Sequence, residues 1–351
     1  VILQRKNLSN KNIKFLFLLA GSPIGLKSIS EIMSKTSITI IISNQQDIES
    51  NDQTILSIID KNRGIKDILV GSKLEISDKI KNILNYYKIN LSYFEHGWFS
   101  SDTKAFDPLG FAQDSLLAKS RLDDVVKKVN HDKIQKDIDS YKKNQMPLSK
   151  FDMGNKYIVV ILQFTHDITI TRGFKDFTNW QAVVNFADKQ RRPGEFLVVK
   201  MHPLNFELKE SINMPHHSVA VQSDIMNSNI LQDAELVVGI NTTMLYEASL
   251  LYNRPVMALG DSWFDCHPEV VKKVKITDEN IERPVLNSED IDYRRAMFYI
   301  MNRMQTINEI YDDNTLKTAE DFINKHNEAS KIKQIEDWVE TDYLKSDNIF
   351  T

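Results

Sequence analysis

Over its first 95 residues the chain alternates short, continuous apolar runs with stretches whose apolar residues recur every three or four positions. The runs at 14–20, 38–42, 65–70 and 90–94, rich in Ile, Leu and Phe, predict strands, with Lys66 and Asp67 interrupting the third. Between them 26–34, 53–61 and 75–87 predict helices. Strands apolar on both faces, alternating with helices, make a parallel sheet covered on both sides. A polar region from 112 to 150, with helical patterning and Pro147 near its end, reads as connecting helices and a linker. The alternation then resumes: 157–163, 196–201, 219–221, 236–240 and 255–259 predict strands, and 177–190 and 242–252 predict helices. From about Asp290 the pattern is helical and polar. The expectation is an α/β protein with two successive Rossmann-like domains, 1–150 and 151–315, and a helical tail over 316–351.

Composition narrows this. A chain of 351 residues, 42% hydrophobic and 26% charged, has room for two cores of ordinary size. Its formal charge of −4 gives no general attraction to nucleic acid or to an anionic membrane, so nucleic acid is not an expected partner. The single Cys266 leaves no internal disulfide framework and fits a reducing, cytoplasmic compartment. No stretch approaches the roughly 20 apolar residues that cross a bilayer. The run at 15–20, closed by Gly21, Ser22 and Pro23, reads as a buried strand and its turn, not a signal peptide. Val1 opens the chain in place of Met, so further modules of a longer polypeptide are expected alongside it.

In sheets of this kind ligands bind beyond the carboxyl ends of the strands. Four such ends carry polar or titratable residues: Glu95-His96-Gly97, Phe164-Thr165-His166-Asp167, Met201-His202-Pro203 and Asn241-Thr242-Thr243. Each has a bland reading. Glu95 can cap a helix or pair with a lysine, and His96 and His166 can be structural. His202-Pro203 can be a rigid strand exit, and Asp167 a loop cap. Asn241-Thr242-Thr243 makes a good N-cap in any helix, although a helix N-terminus also offers N–H groups to phosphate. The four together favour function. Asp137-Ile138-Asp139 and Asp290-Ile291-Asp292 mimic a DxD metal motif but sit in polar helical stretches, so no metal is expected. HExxH, Walker A, GxSxG and paired-cysteine motifs are absent.

Taken in order, these residues resemble the capsule polysaccharide biosynthesis family. Phe94-Glu95-His96-Gly97-Trp98-Phe99, then Phe106-Asp107-Pro108-Leu109-Gly110-Phe111, is similar to its aromatic–Glu–x–Gly–aromatic stretch and Asp-Pro-x-Gly element. Leu162-Gln163 with Asp167 is similar to its Leu-Gln…Asp segment, and Lys200-Met201-His202-Pro203 to its Lys-x-His-Pro motif. Gly239-Ile240-Asn241-Thr242-Thr243, running through Glu247-Ala248 to Arg254-Pro255-Val256 and Gly260, resembles its last signature.

The resemblance implies a bacterial retaining β-Kdo transferase using CMP-β-Kdo. Its fold would be a glycosyltransferase-B arrangement of two Rossmann-like domains related to bacterial sialyltransferases, acceptor side first and donor side second. Asp167 falls on the nucleophile, Glu95 on the acid of the first motif, and His202 on the histidine near the donor phosphate. Gln163, Lys200, Pro203, Asn241, Thr242, Thr243 and Glu247 fall on the donor side, Glu247 as a ribose contact, and Arg172 is a candidate for the sugar carboxylate. One departure is His96, where related enzymes often carry a second acid. Two displacements, by Asp167 and then by the acceptor hydroxyl, would retain configuration. The expected partners are CMP-Kdo and an oligosaccharide or glycolipid acceptor, with no cofactor or metal. The expected place is the cytoplasm or the inner face of the cytoplasmic membrane. Two alternatives stand beside this: an inverting CMP-sialic-acid transferase, and a non-catalytic polysaccharide assembly or binding protein.

Overall fold

The computed structural model describes residues 15–20, 39–43, 48–61, 67–71, 76–96, 98–99, 104–107, 110, 114–119, 122–144, 151, 153–164, 170, 174, 179–202, 211–221, 227–265, 267–278 and 281–306. The chain divides into two compact units. Of the described residues, the first unit holds those up to Leu116 and from Arg303 on, and the second those of Leu117–Asn302.

In the first unit the apolar runs form parallel strands β1 (Phe15–Ala20), β2 (Thr39–Ser43), β3 (Asp67–Gly71) and β4 (Asn90–His96). The short β5 (Lys104–Asp107) pairs antiparallel with β4, and a return strand, Gln305–Thr306, pairs antiparallel with β5. The sheet order from the return strand is β5-β4-β3-β1-β2, the flavodoxin-like doubly wound order with one antiparallel edge. Helices α1 (Ile48–Lys61) and α2 (Asp78–Tyr86) turn Ile55, Ile80 and Leu84 onto Ile68 and Val70. Ser77 starts α2 by accepting from the Ile80 amide (3.2 Å) and also donates to Asp52. The predicted helix at 26–34 and the tail at 316–351 lie outside the described residues.

In the second unit α3 (Asp123–Lys128) and α4 (His131–Asn144) precede a six-stranded sheet. Its strands are β6 (Tyr157–Ile161), β7 (Phe196–Lys200), β8 (Ser218–Val221), β9 (Leu236–Gly239), β10 (Val256–Ala258) and β11 (Lys272–Lys273). All pairs are parallel and the order is β11-β10-β9-β6-β7-β8. Counted from β6 this is the 3-2-1-4-5-6 order of a Rossmann sheet, with its switch point between β6 and β9. Between the strands run α5 (Trp180–Lys189), α6 (Asn227–Leu231) and α7 (Thr243–Tyr246), and α8 (Ser288–Met304) follows the sheet. The central strands β6 and β9 are buried throughout, as their uninterrupted apolar residues require.

The expected boundary near residue 150 falls after α3 and α4, which here belong to the second unit. Hydrogen bonds tie the stretch from Leu117 through α4 to the rest of that unit. Tyr293 Oη donates to Asp123 (2.7 Å), Arg295 Nε to Gln135 (3.1 Å), and buried His267 meets the Leu117 carbonyl (2.9 Å).

After Tyr246 the α7 helix widens into one π-helical turn, Glu247–Leu251. Buried Arg294 collects the backbone around it, donating to the carbonyls of Ser249 (3.2 Å) and Arg254 (3.0 Å). No helix among the described residues is long and apolar enough to cross a membrane.

Candidate functional site

The residues singled out in the second unit gather at the carboxyl ends of β6, β7 and β9, beside the switch point. Two residues past β6, Gln163 reaches across the crevice to Asn241, two residues past β9. Its Oε1 accepts from the Asn241 amide (3.0 Å) and its Nε2 donates to Asn241 Oδ1 (2.9 Å). The Asn241 side chain then donates to the Asp261 carbonyl beyond β10 (3.1 Å). This places a pair of side-chain amides at the point where neighbouring strand exits diverge. The network continues sideways: Asp261 and Asp265 both accept from Lys273 Nζ, the latter at 2.9 Å. Burial alone would lower the Lys273 pKa, but the bonds to the two carboxylates outweigh it and hold the pKa above its ordinary value.

Thr242 is the N-cap of α7, its Oγ1 accepting from the Met244 amide (3.4 Å), and Thr243 stands exposed in the first turn. Gly239 lets this helix start so close to the strand. A Cβ there would stand 3.2 Å from a Leu245 methyl and 3.3 Å from that of Thr242.

Lys200 and His202 occupy the exit of β7. Lys200 is only 6% exposed, and its side chain lies within electrostatic reach of Glu247. His202 is half-buried, with its ring 5.8 Å from that of Phe164 at the exit of β6. Glu247 is buried at the start of the π-helical turn, where both its oxygens accept from Asn227 Nδ2 (3.1 and 3.2 Å). Burial pushes its carboxyl up to about 7, against the opposing pull of Asn227 and then of Lys200.

Asp167, Pro203 and Arg172 lie outside the described residues, as do His166 and Cys266. Glu95 is described through its backbone alone, the penultimate position of β4 opposite Ala105. The Asp-Pro-x-Gly element of the first unit has a structural task. Buried Asp107 accepts from the Gly110 amide (3.1 Å), and a Cβ on Gly110 would lie 2.7 Å from that of Asp114. Three of the four acids of the DxD mimics are engaged locally: Asp139 accepts from Gln135 (3.0 Å), Asp290 from the Asn287 amide (3.0 Å), and Asp292 from Arg295 (3.1 Å). Sequence reasoning missed Asn227 and the Asp261–Lys273–Asp265 group. Their partners are 20, 12 and 8 positions away, at no helical or strand spacing.

A cleft between Arg191, Gly194, Glu195 and His217 opens at the opposite, amino ends of β7 and β8. Arg191 there is paired with Asp188 and Glu195 with Arg283, so the strand-exit cluster is the better candidate.

Known proteins of similar sequence and fold give the chain its family. A family model described as capsule polysaccharide biosynthesis protein matches residues 61–268. Protein FixF of Sinorhizobium fredii is 31% identical over 127 residues, 34% of this chain and 30% of FixF, so the chain matches less than a third of that relative's length. Among solved structures, the β-Kdo 2,7 transferase of Thermosulfurimonas dismutans KpsC superposes with a TM-score of 0.52 at 18% identity, covering 81% of this chain and 89% of that one. The β-Kdo 2,4 transferase of the same KpsC gives 0.52 at 11% identity, covering 84% and 98%. At such identities these two speak for the fold, an α/β fold of the glycosyltransferase-B class built from two Rossmann-like units. With more than half its length inside the family model, from β3's approach to the residues beyond β10, the chain belongs to the capsule polysaccharide biosynthesis family.

Proposed function

We propose that the chain is a glycosyltransferase that moves Kdo from CMP-Kdo to a surface polysaccharide or glycolipid acceptor, with retention and without a metal ion. The observation that carries this reading is the gathering of Gln163, Lys200, His202 and Asn241–Thr243 at the switch point of a Rossmann sheet, in a member of the capsule family. Such a crevice is where a nucleotide binds. His202, Lys200 and the first N–H groups of α7 would meet the phosphate and stabilise it as it leaves. Asp167 would attack the anomeric carbon, forming the sugar–carboxylate bond as the bond to the CMP oxygen breaks. Glu95 would take the proton of the acceptor hydroxyl that displaces Asp167. The likeness in fold to two β-Kdo transferases supports Kdo as the sugar.

The deciding experiment uses Glu95→Gln with CMP-Kdo and no acceptor. An adduct of one Kdo, found by intact-protein mass spectrometry and mapped to the peptide holding Asp167, is expected, and Asp167→Ala should abolish both adduct and transfer. Inverted product stereochemistry in the anomeric NMR signals would defeat the double displacement and favour a sialyltransferase-like mechanism. No turnover of CMP-Kdo by the unaltered protein, with or without acceptor, would favour an assembly or binding protein.

A further inference from the structure

Glu247 and Asn227 form a pair that the phosphate chemistry leaves unused. Glu247 is buried and spends both oxygens on one amide nitrogen, that of Asn227. Ionised, as it is above about pH 7, Glu247 cannot donate, so the reversed amide would then set oxygen against oxygen. The orientation of Asn227 is therefore fixed: Nδ2 toward Glu247 and Oδ1 away from it. That Oδ1 takes no hydrogen bond among the described residues, and Asn227 is only half-buried.

Its place matters as much as its orientation. Asn227 opens α6, six positions beyond the last residue of β8, and Lys200 pairs in register with that same residue, Val221. The amide thus stands on the carboxyl-end side of the sheet, joined through Glu247 to the helix that Thr242 caps.

We propose that Asn227 reads the nucleoside of the donor, its fixed Oδ1 accepting from a ribose hydroxyl or from the exocyclic amine of the base, and that Glu247 is the positioning residue that holds it. This rests on the nucleotide-sugar reading given above, and it moves the nucleoside contact expected of Glu247 to Asn227. An acceptor of fixed direction discriminates because a ligand lacking the donor leaves it unpaired.

The test is calorimetric binding at pH 8, where Glu247 is ionised, of CMP, UMP, 2′-deoxy-CMP and cytidine to the unaltered protein, Asn227→Ala and Glu247→Gln, with melting temperatures to confirm folding. Asn227→Ala should weaken CMP about tenfold, the usual effect of one hydrogen bond of this kind. A loss shared by CMP and UMP but missing for 2′-deoxy-CMP assigns the ribose hydroxyl; a loss confined to the cytosine ligands assigns the amine. Glu247→Gln, whose own amide lets Asn227 turn over, should reproduce the same pattern of selectivity in a folded protein, which a purely structural role would not. Unchanged affinities in both variants overturn the proposal. So does a loss for CMP with none for cytidine, because Asn227 would then meet the phosphate. If the unaltered protein binds neither CMP nor UMP, the nucleotide reading itself fails and this inference with it. If it binds CMP and the variants match it, only the inference fails.

Discussion

At the scale of single residues, Glu247 sets a measurable pH dependence. Its carboxyl, pushed up to about 7 from 4.5 chiefly by burial, keeps a proton in the folded state that the unfolded state has already lost between those values. The stability it contributes is therefore full below pH 4.5 and is lost as pH rises toward and through 7. Glu247→Gln removes that titration while keeping the shape. In urea unfolding, the unaltered protein should lose on the order of 3 kcal/mol relative to the variant between pH 4.5 and pH 8. A constant difference would mean that the carboxyl titrates like an exposed one. Other groups that titrate in this range, among them buried His267, cancel in the comparison. Glu247 also shows the reach of sequence reading. The motif marks it as a residue of the donor side, but its bonds to Asn227 join two helices separated by a strand and depend on the sheet order. No pattern in the chain encodes that.

At the scale of elements, the strands were the most legible. Runs such as 157–161 and 236–239, apolar at every position, can only be buried on both faces, and both are central strands. The missed elements lack that signal. β5 is Lys-Ala-Phe-Asp and β11 is Lys-Lys, and both gain their pairing from neighbours already in place. α6, Asn-Ser-Asn-Ile-Leu, is too short for a helical period to show. The π-helical turn was invisible for another reason: its sequence, Glu-Ala-Ser-Leu-Leu, is that of an ordinary helix. What sustains it is tertiary. Arg294, which burial pulls down to about 10 and which is still charged at neutral pH, donates to Ser249 within the turn and to Arg254 just beyond it. Arg294→Met should cost about 3–5 kcal/mol, because it strands buried carbonyls and no polar atom replaces the guanidinium. A loss under 1 kcal/mol in denaturant titration would show that the turn stands without it.

At the scale of the molecule, both sheets are doubly wound but differently ordered, 2-1-3-4 for the parallel strands of the first unit and 3-2-1-4-5-6 in the second. The proposed donor site uses the second unit alone. Saturating CMP should therefore slow amide exchange at 161–163, 200–202 and 239–247 more than in any strand of the first unit, by hydrogen-exchange mass spectrometry. Protection confined to 67–96 would move the nucleotide to the other sheet.

The return strand Gln305–Thr306 bears on how the protein is made. The chain leaves the first unit at Leu116 and supplies the outer partner of β5 only some 190 residues later. Until Gln305 and Thr306 have left the ribosome, β5 is a bare edge for other chains to pair with. A polypeptide that stops before residue 305 carries that open edge permanently.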